Sequence, residues 1–179
     1  LIEHDQYVVV LDKLTYASDV AHLKQARETG KMVFIEGDIC DAATVHTLLH
    51  QYNIQTIFHL AAESHVDNSI SDATPFIQTN IVGTYSLLNT SSQYYEAQGK
   101  PNHFKFIHVS TDEVFGELTE QATAFHEQTP YNPSSPYSAS KASSDHLAKA
   151  WFHTYGLPVI VTHCSNNFGP RQHHEKFIP

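Results

Sequence analysis

The sequence predicts an α/β fold built on a doubly wound parallel sheet. Two observations carry this. Short apolar, β-rich runs recur along the chain, and longer segments with helical spacing separate them. Strands separated by helices form βαβ units, whose strands lie parallel with both faces covered. Crossovers of this kind are right-handed, which makes the sheet doubly wound.

The elements follow in order. Residues 7–12 (YVVVLD) make the first strand, and residues 19–29 a helix that Gly30 stops. Residues 31–36 (KMVFIE) give a second strand. Asp41 then caps a helix running to about Tyr52. Residues 56–60 (TIFHL) are the third strand. Between residues 75 and 98 a long helix places Phe76, Ile77, Ile81, Tyr85 and Leu88 at helical spacing, and GKPN ends it. A fourth strand spans residues 104–109. After a loop rich in Thr, Pro and Ser, a helix covers residues 136–155 and a fifth strand residues 158–162.

Composition removes several function classes. The 179 residues carry 10 basic against 19 acidic side chains, a formal net charge of -9. That balance argues against a surface built for nucleic acid or an anionic membrane. No window approaches the length of a membrane span, and LIEHDQ does not read as a signal peptide. Cys40 and Cys164 lie far apart with no C-x-x-C, so both are expected as small core residues in a reducing cytoplasm. The 14 histidines are scattered without zinc spacing, and no metal is expected. The chain starts close to a strand and stops in KFIP without a closing helix. It therefore reads as one incomplete domain, residues 1–179, from the interior of a longer protein.

In doubly wound sheets, ligands bind outside the carboxyl ends of the strands. Those ends are Asp12, Gly37-Asp38, Ala61 to Ser64, Ser110 to Glu113, and Cys164 to Asn167. Asp12 can accept the two hydroxyls of an adenosine ribose, or simply sit in a solvated loop or cap a helix. A glycine-rich G-x-x-G-x-x-G turn, its usual companion, is expected before Leu1. Asp38 in GDI is placed either to meet an adenine amino group or to serve a turn. Ala61 and Ala62 are small where a flat cofactor would approach, while Ser64 and His65 are polar where a substrate would lie.

The sharpest short signal is YSASK, residues 137–141. Tyr137 and Lys141 share one helix face. Ser135 is a good N-cap and Pro136 a good first helical residue, so Tyr137 falls in the first turn. There the helix dipole and the Lys141 ammonium are expected to stabilise a phenolate and lower the tyrosine pKa towards that of a general base. The pair follows a fourth strand ending in STDEVFG, with two adjacent carboxylates, Asp112 and Glu113.

Together, LDKLTYAS, GDICD, LAAESHVDNSI, NIVGTYSLLN, STDEVFG, PSSPYSASKASSDHL and CSNNFGP resemble the extended short-chain dehydrogenase/reductase family of nucleotide-sugar enzymes, and within it the 4,6-dehydratases. These stretches span Leu11 to about Pro170 in family order. The resemblance implies a Rossmann-like NAD-binding domain lacking its first strand and its C-terminal substrate domain. It implies NAD as cofactor, dTDP-glucose as substrate, a cytoplasmic homodimer, and a lyase reaction. The sugar is oxidised at C4, loses water across C5 and C6, and regains hydride at C6.

The residue roles implied by the resemblance are as follows. Tyr137 takes the C4 hydroxyl proton, Lys141 tunes it and holds the nicotinamide ribose, and Thr111 hydrogen-bonds the C4 oxygen. Glu113 removes the C5 proton, and Asp112 protonates the leaving C6 hydroxyl. That division requires a protonated Asp112 beside an ionised Glu113. Asp12, Lys13, Leu14, Thr15, Tyr16 and Ala17 would lie near adenosine, with Asp38 and Ile39 at the adenine. Leu60, Ala61, Ala62, Glu63 and Ser64 would follow the pyrophosphate and nicotinamide side, and Thr79, Tyr137, Lys141 and Asn167 would complete the cofactor set. Ser64, Thr111, Asn166, Glu175 and Lys176 would face the substrate. Four departures stand out: Asn68 replaces a usual Arg, Phe168 a usual Tyr, His163 a usual Asn, and RQHHEKF a common YHFPEKL. Two other readings are a 4-epimerase of the same fold, which needs no Asp-Glu pair, and a non-catalytic binding fragment.

Overall fold

A computed structural model describes residues 1–119 and 123–176. Five strands form where apolar runs predict them: β1 (Val8–Asp12), β2 (Met32–Glu36), β3 (Thr56–His59), β4 (Lys105–Thr111) and β5 (Val159–Cys164). The helices are α1 (Lys24–Glu28), α2 (Ala42–Gln51), α3 (Val66–Ser71), α4 (Thr74–Phe76), α5 (Thr84–Ala97) and α6 (Pro136–Tyr155). All strand pairs are parallel, so the expected α/β class holds. The sheet, however, comes in two pieces, β1-β2 and β3-β4-β5, with no ladder joining β1 to β3. Register aligns Asp12 with Glu36 at the carboxyl end of one piece and Thr111 with Cys164 at that of the other.

The main core lies between the second sheet piece and the helices α2, α5 and α6. Leu88, Phe104, Phe106, Ala148 and Leu157 are fully enclosed there, with Val45, Leu49 and Tyr94 around them. Each large apolar side chain buried in this way contributes roughly 1.5–3 kcal/mol. On β4 the residues turned into the protein are Phe106, His108 and Ser110. Its inward face therefore changes from apolar to polar towards the carboxyl end, which is where the candidate site begins.

Local chemistry sets the helix ends. The Asp41 side chain accepts from the amides of Ala43 and Thr44 at the start of α2. Gly30, at φ +70, ends the first helical stretch. That stretch is not the single helix expected over residues 19–29. It is a 3-10 turn, Val20–Leu23, capped by Asp19, followed by the short α1. The long helix expected from residue 75 is continuous but contains a π turn, Ile77–Gly83, between α4 and α5. The π turn directs Thr79 and Asn80 into the protein, and such bulges recur at functional sites. Its last residue is Gly83, where a Cβ would sit 2.7 Å from Ile39 Cδ1.

Cys40 and Cys164 are free and only partly buried, not the enclosed core residues expected. Among the described residues, no helix is long and apolar enough to cross a membrane.

Candidate active site

The site is organised by the start of α6. Ser135 Oγ accepts from the Ser138 amide at 3.0 Å, and Ser138 Oγ accepts from the Ser135 amide at 2.9 Å. This reciprocal cap, with Pro136 in the first turn, fixes where Tyr137 and Lys141 point. The Tyr137 amide donates to Ser69 Oγ at 3.1 Å, so α3 buttresses the same turn. Tyr137 is 8% exposed and Lys141 5%. The lysine does not lie free against the phenol. Its Nζ donates to the Val109 carbonyl on β4 at 2.8 Å, pinning helix to sheet.

The carboxyl end of β4 supplies the carboxylates. Thr111 caps a 3-10 turn, Asp112–Phe115, by accepting from the Glu113 amide at 3.3 Å. Thr111 Oγ1 lies 3.4 Å from Asp112 Oδ1. Thr111, Asp112 and Glu113 all perturb the Tyr137 phenol, so the expected catalytic residues gather in one place.

Two electrostatic expectations fail. The Tyr137 pKa is not lowered but pushed up to about 12. Burial is the largest cause, the Glu113 and Asp112 carboxylates add to it, and the Thr111 hydroxyl opposes them through its hydrogen bond. The phenol has lost its hydration and faces anions, while the lysine that should offset this is turned towards Val109. The second failure concerns the carboxyl pair. The pKa of Glu113, the residue expected to be ionised, is raised. Desolvation raises the Glu113 pKa first, the Asp112 charge adds to it, and Lys176 pulls it down.

The expected adenosine side also assembles. Lys13 Nζ donates to Thr79 Oγ1 at 3.1 Å and lies 3.6 Å from Asp38 Oδ2, joining the ends of β1 and β2 to the π turn. Asp12 Oδ1 accepts from the Leu14 amide at 2.8 Å and from Ser18 Oγ at 3.3 Å, shaping a turn in which Leu14 adopts φ +56. Thr15 closes the same turn by accepting from the Ser18 amide. The Ile39 side chain is buried in the main core against Gly83. Only its backbone is left to meet a ligand.

At the end of β3, Leu60 is 68% exposed, and Ala61, Ala62 and Glu63 follow it, half-buried. Sequence reasoning missed the residue that fixes this loop. Buried Asn80 accepts from the Glu63 amide at 2.9 Å, and its Nδ2 donates to the Glu63 carbonyl and to Ser140 Oγ on α6. One amide thereby locks the loop to the Tyr-Lys helix. Asn80 stands in the quoted NIVGTYSLLN, but spacing alone cannot tell an inward Asn from a surface one.

The segment after β5 crosses back over these ends. Tyr16 donates its hydroxyl to both Glu175 oxygens, at 3.0 and 3.1 Å, and accepts from Asn68 Nδ2 at 3.2 Å. Lys176 Nζ donates to Ser64 Oγ at 2.9 Å. Tyr16, Ala17, Ser64, Glu175 and Lys176 are thus brought to one rim. Asn166 and Asn167 are exposed just beyond β5, where Asn167 accepts at its carbonyl from Gln172. A cavity of about 420 Å³ opens beside Tyr16 and Ala17, towards Arg171 and His173. A larger one, about 620 Å³, lies on the outer side of α5 and α6 beside Trp151 and contains none of the site residues. The smaller cavity lies between the loop after β1 and the segment after β5, and Thr111, Asp112, Glu113, Tyr137 and Lys141 do not line it.

Comparison with known proteins follows this geometry. The family model described as GDP-mannose 4,6 dehydratase matches residues 1–179. The dTDP-glucose 4,6-dehydratase of Haemophilus influenzae is 51% identical over all of this chain and 54% of its own length. dTDP-glucose 4,6-dehydratase 1 of Escherichia coli K12 is 52% identical over 96% of this chain and 50% of its own. Among solved structures, the Streptomyces venezuelae dTDP-glucose 4,6-dehydratase with NAD and TYD bound superposes with a TM-score of 0.88. It is 43% identical over 97% of this chain and 51% of that one. The UDP-glucuronic acid 4-epimerase of Bacillus cereus, solved with UDP-glucuronic acid and NAD, has a TM-score of 0.81 at 26% identity, covering 96% of this chain and 52% of that one. The chain spans about half the length of the relatives it matches. With every residue from 1 to 179 matched by the family model, the chain belongs to the GDP-mannose 4,6 dehydratase family.

Proposed function

We propose that residues 1–179 form the dinucleotide-binding and acid–base part of an NAD-dependent dTDP-glucose 4,6-dehydratase. The observation that carries this reading is the gathering of Thr111, Asp112 and Glu113 around the buried phenol of Tyr137, one helical turn from Lys141. An epimerase of this fold needs the Tyr-Lys pair but no acid and base beyond the fourth strand. The nearer relatives named above are dehydratases at about half identity, while the epimerase stands at 26%.

The strand ends fit the cofactor. Asp12 is an exposed carboxylate whose Oδ1 is engaged and whose Oδ2 carries no hydrogen bond among the described residues. Lys13, Asp38 and Thr79 form a polar cluster beside it, and exposed Leu60 with Ala61 and Ala62 offers a flat apolar approach. These residues would hold NAD, which supplies a hydride acceptor and donor when bound.

The chain's own residues move the protons. Tyr137 takes the C4 hydroxyl proton once positive charge beside it lowers its raised pKa, while Thr111 holds the C4 oxygen. With the C4 hydride passed to bound NAD, the C4 ketone would acidify C5–H, and Glu113, its pKa raised by burial, would take that proton. Asp112 delivers a proton to the C6 hydroxyl, which departs as water. Lys141 fixes α6 on β4 through the Val109 carbonyl. Ser64 and Lys176 sit on the sugar side of the crevice.

A homodimer is part of the proposal. The outer face of α5 and α6 exposes Tyr85, Phe152 and Tyr155, an apolar surface suited to a second copy. The free cysteines agree with a cytoplasmic location.

Incubating the intact protein with dTDP-glucose and NAD tests the reading. A 4-keto-6-deoxy sugar supports it, whereas unchanged sugar or the C4 epimer contradicts it.

A further inference from the structure

Beneath the Tyr-Lys pair lies a polar cluster that the proposed chemistry does not use. Asp145, one turn after Lys141 on α6, is 0% exposed. Its carboxylate nevertheless receives four hydrogen bonds from three separate parts of the chain. His108 Nε2 donates to Oδ1 at 3.0 Å. Ser110 Oγ, His163 Nε2 and Tyr131 OH donate to Oδ2 at 2.9, 3.0 and 3.1 Å. His108 and Ser110 come from β4, His163 from β5, and Tyr131 from the loop before α6. Burying a carboxylate so completely is costly unless it is well supplied with donors, and here one donor meets Oδ1 and three meet Oδ2. Among the described residues no group of His, Cys, Asp and Glu is placed to hold a metal ion, so the cluster is a hydrogen-bond hub.

The position of the hub gives it a consequence for the site. Ser110 immediately precedes Thr111, the first residue of the acid–base triplet. Lys141 Nζ grips the Val109 carbonyl one residue earlier on the same strand. Helix α6 is thus fastened to the end of β4 at two successive turns, by a lysine and by an aspartate. His108 is buried and its pKa is lowered by that burial, which favours a neutral ring. The carboxylate charge is therefore left to act on the other buried cation nearby, opposing the desolvation that lowers the Lys141 pKa to about 8.

We propose that Asp145 is a positioning residue of this active site: by collecting donors from β4, β5 and the preceding loop, it sets the distance between the Tyr137-Lys141 helix and the Thr111-Asp112-Glu113 turn. His163 adds a donor from β5 to that hub. The inference rests on the dehydratase reading for its catalytic consequence, but not for its structural one.

The test uses the intact protein and the variant Asp145→Ala, which leaves four donors without their acceptor. Hydrogen–deuterium exchange needs no substrate. Exchange in residues 109–113 and 137–141 should rise about tenfold or more, with α2 unchanged. With dTDP-glucose, kcat should fall about a hundredfold while KM stays within about threefold, the pattern of a lost transition-state geometry. Wild-type exchange in both segments, or an equal rise throughout the chain, overturns the proposal whatever the enzyme turns out to catalyse. A wild-type protein without turnover instead removes the dehydratase reading and leaves the exchange result to decide this one. Should Asp145→Ala fail to fold, Ser110→Ala removes a single donor. It should raise exchange in residues 109–113 and lower kcat several-fold, and wild-type values for both would overturn the proposal.

Discussion

Replacing Lys141 by Met separates what the lysine does for chemistry from what its burial costs the fold. Lys141 is almost fully enclosed, and its pKa falls from the ordinary 10.5 to about 8, chiefly through burial, with Asp145 opposing. A lysine whose pKa is lowered on folding destabilises the fold while both states hold the proton. Below about pH 8 that cost is present in full. Between about 8 and 10.5 the folded state releases its proton first and the cost is progressively relieved, so this lysine makes stability rise with pH through that window. A gap of this size corresponds to about 3 kcal/mol. Methionine is similar in length and carries no charge, so the rise should be absent from Lys141→Met. The constant loss from leaving the Val109 carbonyl without its donor does not depend on pH and drops out of the comparison. Urea denaturation of both proteins across the window gives the difference directly. It should change by about 3 kcal/mol in favour of wild type between about pH 7 and pH 10.5, while the variant's turnover falls about a hundredfold or more at every pH. A difference that stays flat with pH would refute the claim that this lysine is charged in a desolvated site.

Three further outcomes follow from the same geometry. Glu113→Gln should abolish solvent exchange of the C5 proton while C4 oxidation stays detectable as reduced nicotinamide. In wild type, activity should rise with pH through a Glu113 ionisation lying above the ordinary carboxylate value, because the ionised form is the base, and a variant that still exchanges C5–H has another base. Asn80→Ala removes the partner of the Glu63 amide and carbonyl and of Ser140, so it should cost about 2 kcal/mol in chemical denaturation and weaken NAD binding measured by titration. Gly83→Ala pushes a methyl group to 2.7 Å from Ile39 Cδ1 and 2.9 Å from Cγ1 in a packed core, so it should destabilise by about 1–3 kcal/mol, and an unchanged melting temperature would show that Ile39 can move aside.

Much of this was legible before any coordinates. The five strands are apolar runs long enough to read, and Ser135-Pro136 announces the start of α6, because caps and propensity act locally. The gathering of Tyr137 with Thr111, Asp112 and Glu113 followed from knowing where strand ends point in a parallel sheet. What was missed depends on distant partners. α3 (VDNSIS) lacks a helical apolar stripe and is held by tertiary contact, with Ser69 accepting from the Tyr137 amide. The π turn leaves no trace in a 3.6-residue period, since it exists to carry Thr79 and Asn80 inward. The Tyr137 shift was expected with the wrong sign. Sequence placed a lysine one turn away, but its reach to Val109 and the loss of water around the phenol are properties of the folded chain. The same holds for Asp145, which in sequence is an ordinary polar residue in a helix.

The central claim is that the carboxyl pair couples to the Tyr-Lys chemistry in one elimination, with hydride leaving C4 and returning to C6. Turnover by the intact protein of dTDP-glucose deuterated at C4 measures this most directly. The account predicts a 4-keto-6-deoxy product with the deuterium at C6. Deuterium found back at C4, in glucose or its epimer, would contradict it.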